Sequence, residues 1–153
     1  DVLIVGSGLA GLSAALRLPS HLRVGLITKG ELSEGASGWA QGGIAAVMAD
    51  NDSFDAHVSD TLTAGAGLCD LKATQFVVEN APTAIRWLIE LGVPFTEADG
   101  VLHLTREGGH SERRIVHVTD ATGWAGRTLS TCGASRPLRP GRTSRSSAAR
   151  WSL

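Results

Sequence analysis

An α/β fold, a parallel sheet flanked by helices, is what the sequence predicts, and two observations predict it. Residues 1–5 (DVLIV) form a short apolar run rich in β-branched side chains, GSGLAG follows without a spacer, and LSAALRL carries apolar residues at helical spacing. Pro19 and Ser20 then break the helical pattern, and RVGLIT at 23–28 reads as a second strand, so a strand–helix–strand crossover closes by Thr28. A glycine pattern G-x-G-x-x-G is weak alone and reads equally as an ordinary turn. Between a strand and a helix it is the fingerprint of a Rossmann-like dinucleotide site.

Each element of that fingerprint has a physical task. Gly6 permits the tight turn out of the strand, Gly8 lets a pyrophosphate approach the backbone, and Gly11 lets the helix lie close to the strand. The free N–H groups and positive dipole end of the helix face the phosphates. The second strand of such folds usually ends in an acid that binds ribose hydroxyls. Here the position falls on Thr28-Lys29, with Glu31 a little beyond, which argues against a plain NAD site. A lysine there suits phosphate or adenosine groups of another dinucleotide.

Residues 30–49 are glycine-rich, and small residues dominate 35–43, so backbone can lie directly against a ligand. A flexible linker would look similar, but Trp39, Gln41 and the apolar IAAV favour an ordered, partly buried loop. Asp52 and Ser53 supply N-cap chemistry for a helix running to about Ala64. Phe54, Val58 and Leu62 sit four apart on its apolar face, and His57 beside them reads as a packed or surface histidine. Asp70 caps a further helix with Phe76, Val77, Ile85, Leu88 and Ile89 as its expected buried side. Pro82 is expected to mark a break or a new first turn, and Gly92 the stop. Residues 93–104 read as a hairpin turning at Ala98-Asp99-Gly100.

Residues 104–123 (LTREGGHSERRIVHVTDATG) concentrate three arginines, two histidines, three acids and paired glycines. Such runs are usually solvated loops, but Gly108-Gly109 allows a tight fold, RIVHV is strand-like, and Asp120 resembles another helix cap. His110 and His117 have no cysteine or H-x-x-x-H partner, so no metal site is expected. Ser111, His110 and Asp120 lack the nucleophile elbow that a hydrolytic triad would show.

Composition bounds the rest. The 153 residues suffice for one domain with a core, and no apolar run reaches the roughly 18 residues of a membrane span. Cys69 and Cys132 are isolated, which fits a reducing cytosol. The first residue is Asp, so the start of the gene product is expected upstream. Residues 124–153 hold six arginines and no acid, leaving eight basic against fifteen acidic side chains in 1–123.

Four stretches together, GSGLAGLSAALRL, ASGWAQGGIAAV, AGAGLCD and HLTREGGHSERRIVHVTDATG, resemble the N-terminal part of the L-aspartate oxidases. These belong to the succinate dehydrogenase/fumarate reductase flavoprotein superfamily and open bacterial NAD biosynthesis. The resemblance runs from Asp1 to about Gly123 and implies an incomplete FAD-binding domain over 1–123. It places FAD against Gly6, Ser7, Gly8, Leu9, Ala10 and Gly11, against Lys29, and against the loop of Ala36, Ser37, Gly38, Trp39, Ala40, Gln41, Gly42 and Gly43. Relatives that hold FAD covalently carry a histidine where this chain has Ala36, so non-covalent FAD is implied.

The resemblance further implies oxidation of L-aspartate to iminoaspartate by hydride transfer to the flavin, oxygen or fumarate as electron acceptor, and quinolinate synthase as a partner. Succinate-acting relatives have an apolar residue where this chain has Glu107. A carboxylate there suits the substrate ammonium, a charge-assisted hydrogen bond of roughly 1.5–3 kcal/mol. The bland alternative is a salt bridge from Glu107 to Arg106, Arg113 or Arg114. Family members are several times longer, so this polypeptide alone is expected to lack oxidase activity. The alternatives are a fragment of a soluble fumarate reductase or succinate dehydrogenase flavoprotein, which Ala36 and Glu107 disfavour, and a non-catalytic nucleotide-binding remnant. The arginine- and serine-rich residues 124–153 read as disordered, as an out-of-frame translation, or as a basic nucleic-acid-binding tail; with the tail read as out of frame, neither nucleic acid nor membrane is an expected partner.

Overall fold

Residues 2–5 take the strand their β-branched side chains favour, and Val2–Val5 is β1. The computed structural model describes residues 1–30, Ser37, Ala40, 42–118 and the backbone of Ala148–Ser152. It divides into two compact units, one of Asp1–Gln41 with Ala121–Leu153 and one of Gly42–Asp120.

In the first unit, helix α1 (Leu9–Arg17) crosses from β1 to β2 (Arg23–Ile27). The two strands are parallel, with Val2 opposite Val24 and Val5 opposite Ile27. This is the crossover that the sequence expects. Val24 and Leu26 of β2 and Leu12 of α1 are buried, so the sheet and helix share a small apolar seam. The last helical bond runs from Leu18 N–H to the Ala14 carbonyl, and Pro19 follows. Strand β8 (Ala148–Ser152) runs antiparallel to β2, which gives the order β1–β2–β8.

In the second unit, β3 (Ile44–Ala45), β7 (Ile115–Val116) and β6 (Leu104–Thr105) form an antiparallel sheet in the order β3–β7–β6. Strands β4 (Glu97–Ala98) and β5 (Val101–Leu102) pair separately. Asp99 and Gly100 turn between them with φ of 55° and 78°, the left-handed pair that a two-residue hairpin requires. Helices α2 (Phe54–Ala64) and α3 (Leu71–Glu90) pack on each other. Ser53 Oγ accepts the Ala56 amide and Asp70 Oδ1 the Ala73 amide, so both expected N-caps form. At the far end of α3, Gly92 N–H bonds the Ile89 carbonyl and Val93 N–H the Leu88 carbonyl, with Gly92 at φ 85°. That is a Schellman stop.

Two expectations for α3 are corrected. The helix does not break at Pro82, which lies inside it and is buried with Thr74, Val78, Ile85 and Leu88. Proline removes one backbone bond, but here its ring completes the packed stripe. Phe76 and Val77 are 68% and 64% exposed rather than buried, and Ile89 is also exposed. The 74–78–82–85 spacing sets the covered face; Phe76 falls on the opposite side of the helix, and Val77 lies at the flank of that face.

Candidate functional site

The glycine turn is built from backbone. Gly6 leaves β1 at φ 109°, and its N–H bonds the Ile27 carbonyl at 2.8 Å, which ties the turn to the end of β2. A Cβ on Gly11 would collide with the Gly6 carbonyl oxygen and approach Ile4 Cγ2 at 3.3 Å. Helix and strand therefore meet at a distance only glycine allows. Gly8 caps α1 in extended conformation and offers no side-chain cap. The Leu9 amide donates to Ser37 Oγ at 3.1 Å, while those of Ala10 and Gly11 have no partner among the described residues. Those amides and the helix dipole make an anion site. Buried Ser7 spends its hydroxyl on Thr28 Oγ1, 3.1 Å away. Lys29 follows β2 with its side chain exposed. The turn thus fits a dinucleotide pyrophosphate: amides of Ala10 and Gly11 left open among the described residues, and a cation at the neighbouring strand end.

Of the loop residues expected at the same ligand, Ser37 reaches α1, and Ala40 is exposed. Ala36, Gly38, Trp39 and Gln41 lie outside the described residues, as does Asp120. Gly42 and Gly43 belong to the second unit, where a Cβ on Gly43 would collide with Ile115 and the Val116 carbonyl oxygen. Gly43 accordingly lets β3 close on β7.

The second cluster is built from side chains. Arg114, immediately before β7, is fully buried. Its Nε and Nη2 donate to Asp52 Oδ2 and Oδ1 at 2.8 and 2.7 Å, and its Nη1 donates to Asp60 Oδ2. Asp60 Oδ2 also accepts the Ser111 amide at 2.7 Å and the Ser111 hydroxyl at 2.8 Å. These bonds, led by the Ser111 amide, hold the Asp60 carboxyl at about 2. Burial pushes Asp52 upward, but the bonds from Arg114 and the Ser53 amide outweigh it and leave that carboxyl below its ordinary value. Asp52 above all raises Arg114.

Arg114 Nη1 also lies 3.4 Å from His110 Nδ1. Arginine has no acceptor, so Nδ1 receives that bond and the ring proton belongs on Nε2. His57 stacks edge-on against His110, with ring centroids 5.6 Å apart. It is buried with Nδ1 unpartnered among the described residues, and burial followed by Arg114 lowers its pKa. Ser111 therefore donates to a carboxylate and is not activated by His110.

The loop carrying Glu107 closes on itself. The His110 amide donates to the Glu107 carbonyl, Arg106 Nη1 reaches the Ser111 carbonyl at 3.4 Å, and Gly109 turns at φ 86°. Glu107 is exposed and forms no ion pair among the described residues, so none of the three expected arginines takes it. A neighbouring cavity of about 610 Å³ is lined by Arg106, Ser111, Glu112 and Arg113, but not by Glu107. The sequence reading missed Asp52, Asp60 and Arg114 as a cluster. Asp52 was assigned to capping, and nothing in spacing announces a pair 62 residues apart.

The family model described as FAD binding domain matches residues 1–144. The chain is 58% identical over 133 residues to an L-aspartate oxidase of Pseudomonas aeruginosa, and 63% identical over 128 residues to L-aspartate oxidase 1 of Ralstonia nicotianae. Each comparison covers 82% of this chain but 25% and 24% of the relative, so the chain spans about a quarter of their length. Among solved structures, Escherichia coli quinol fumarate reductase superposes with a TM-score of 0.85 at 33% identity, over 90% of this chain and 24% of that one. The Mycobacterium smegmatis Sdh1 complex gives 0.83 at 33% identity, over 88% and 24%.

Proposed function

Because this chain belongs to the FAD binding domain family, we propose that residues 1–123 form the dinucleotide-binding part of an L-aspartate oxidase. Glu107 carries the reading. Its carboxylate has neither an ion pair nor a hydrogen bond among the described residues, whereas Glu112 of the same loop accepts from Asn51 and Arg114 is held by Asp52 and Asp60. An unpaired carboxylate attracts the ammonium of an amino acid and gives a plain diacid no advantage. The identity of 58–63% to proteins named L-aspartate oxidase supports the same substrate over succinate.

FAD, when bound, supplies the acceptor for the hydride from the substrate α-carbon. This chain's residues supply its holding. The Ala10 and Gly11 amides and the α1 dipole balance pyrophosphate charge, Gly8 keeps the approach clear, and Lys29 meets phosphate or adenosine groups. Ser37 fixes the first amide of α1 and with it the start of the second loop. Ala36, in place of a histidine, suits non-covalent FAD. Glu107 holds the ammonium and orients the α-carbon. Oxygen or fumarate as acceptor, quinolinate synthase as consumer of the product, and a cytosolic setting belong to this reading.

The test has two arms. The 153-residue chain, incubated with FAD and desalted, is expected to retain flavin absorbance that acid precipitation releases. Flavin surviving denaturation would overturn the non-covalent site, and a colourless chain would overturn the claim that this segment binds FAD unaided. Second, the matching quarter of the Pseudomonas aeruginosa enzyme is replaced by this segment. That graft is expected to oxidise L-aspartate, with Glu107→Gln raising KM for L-aspartate about tenfold and leaving KM for fumarate unchanged. An inactive graft, or equal KM shifts for both ligands, would refute the oxidase reading.

A further inference from the structure

The loop that presents Glu107 contains Gly108 and Gly109, adjacent residues of greatest backbone freedom. Something must remove that freedom if Glu107 is to meet a ligand in one place, and a single carboxylate oxygen is placed to do so. Asp60 Oδ2, on α2, receives both the amide and the hydroxyl of Ser111. Ser111 is the residue at which the loop closes, since its carbonyl accepts Arg106 from the other end. The same oxygen is itself held by buried Arg114, whose other nitrogens are fixed by Asp52 at the start of α2. The base of the loop is thereby fastened to a helix rather than to solvent-exposed chain.

We propose that Asp60, acting through Ser111, is the positioning residue that fixes the Glu107 loop and so tunes selectivity for an amino-acid substrate over a plain dicarboxylate. The inference rests on the ammonium role of Glu107 given above. Asp60 touches neither substrate nor cofactor; its effect passes through the loop. A preorganised Glu107 binds the ammonium without first paying the ordering entropy of two glycines, and a ligand without an ammonium gains nothing from it.

The graft that tests the oxidase reading tests this too. Asp60→Asn is expected to raise KM for L-aspartate about tenfold, the range of a lost charge-assisted bond, with kcat and KM for fumarate nearly unchanged. Ser111→Ala keeps the Arg114 pair and the backbone bond, so it is expected to shift the same KM by a smaller factor without threatening the fold. In the 153-residue chain, Asp60→Asn is expected to speed amide exchange at Ser111 and in 107–110 while α3 amides keep their rates. If Glu107→Gln shows the selective KM rise and neither Asp60→Asn nor Ser111→Ala does, the positioning role is wrong and the oxidase reading stands. If Glu107→Gln itself shows no selective rise, the oxidase reading fails first. Parallel rises for L-aspartate and fumarate in Asp60→Asn would mark Asp60 as merely structural and overturn the proposal.

Discussion

The glycine turn and the arginine cluster reach preorganisation by opposite routes. The turn uses almost no side chains: Gly6, Gly8 and Gly11 act through what they lack, and the groups on offer are amides at the start of α1. The cluster is nearly all side chain, with Arg114, Asp52, Asp60 and Ser111 joined across intervals of up to 62 residues. A site made of absent atoms is defended by sterics and local geometry. One made of buried charge is defended by mutual neutralisation, and it fails when one partner leaves.

The sharpest test of that contrast is Arg114→Met, with the largest expected effect. It leaves Asp52 buried without its cation, and removing one partner from a buried pair costs about 3–5 kcal/mol. Denaturant unfolding followed by hydrogen exchange should show α2 and β7 amides losing protection while the β1–β2 ladder keeps it. Next comes Gly11→Val, which forces a side chain against the Gly6 carbonyl at an overpacking cost of about 1–3 kcal/mol. Flavin retention should disappear with α2 and β7 protection intact. Crossed outcomes in either variant would erase the distinction between the two regions.

The smallest effect is a pH dependence confined to the cluster. Asp52 and Asp60 have pKa values held below 3.8 in the fold, Asp60 at about 2. Their stabilisation is complete above pH 4 and fades as pH falls toward 2, because the unfolded chain takes up those protons first. His57 is depressed from 6.5, so it contributes the same sign earlier: stability begins to fall as pH drops below 6.5. Protection factors measured from pH 7 downward should therefore fall in α2 and β7 before they do in β1 and β2.

The difference also explains what the sequence made legible. The turn is local, so spacing alone located β1, α1 and β2. Ser53, Asp70, Gly92 and the Asp99-Gly100 turn were readable for the same reason, each acting within about four residues of itself. The α3 stripe was only half readable. Hydrophobicity pointed to Phe76 and Val77, whereas the face that packs runs through Thr74 and Pro82, two residues whose composition suggests neither burial nor helix. The cluster was invisible: the SERR run at 111–114 and lone aspartates look like solvated surface until the fold brings 52, 60 and 114 together. Glu107 was singled out through family resemblance, and its freedom from ion pairs emerged only when Arg114 was seen to be engaged elsewhere.

The interval between Asp52 and Arg114 has a consequence during biosynthesis. At roughly 5–20 residues per second, Asp52 is made some 3–12 seconds before the cation it will be buried with, 62 residues on. Through that interval α2 can form, since Ser53 caps it from within, but its acidic side must stay wet. The nascent chain is thus held open on that side until synthesis delivers Arg114, and the last segment to arrive is the one that seals the unit.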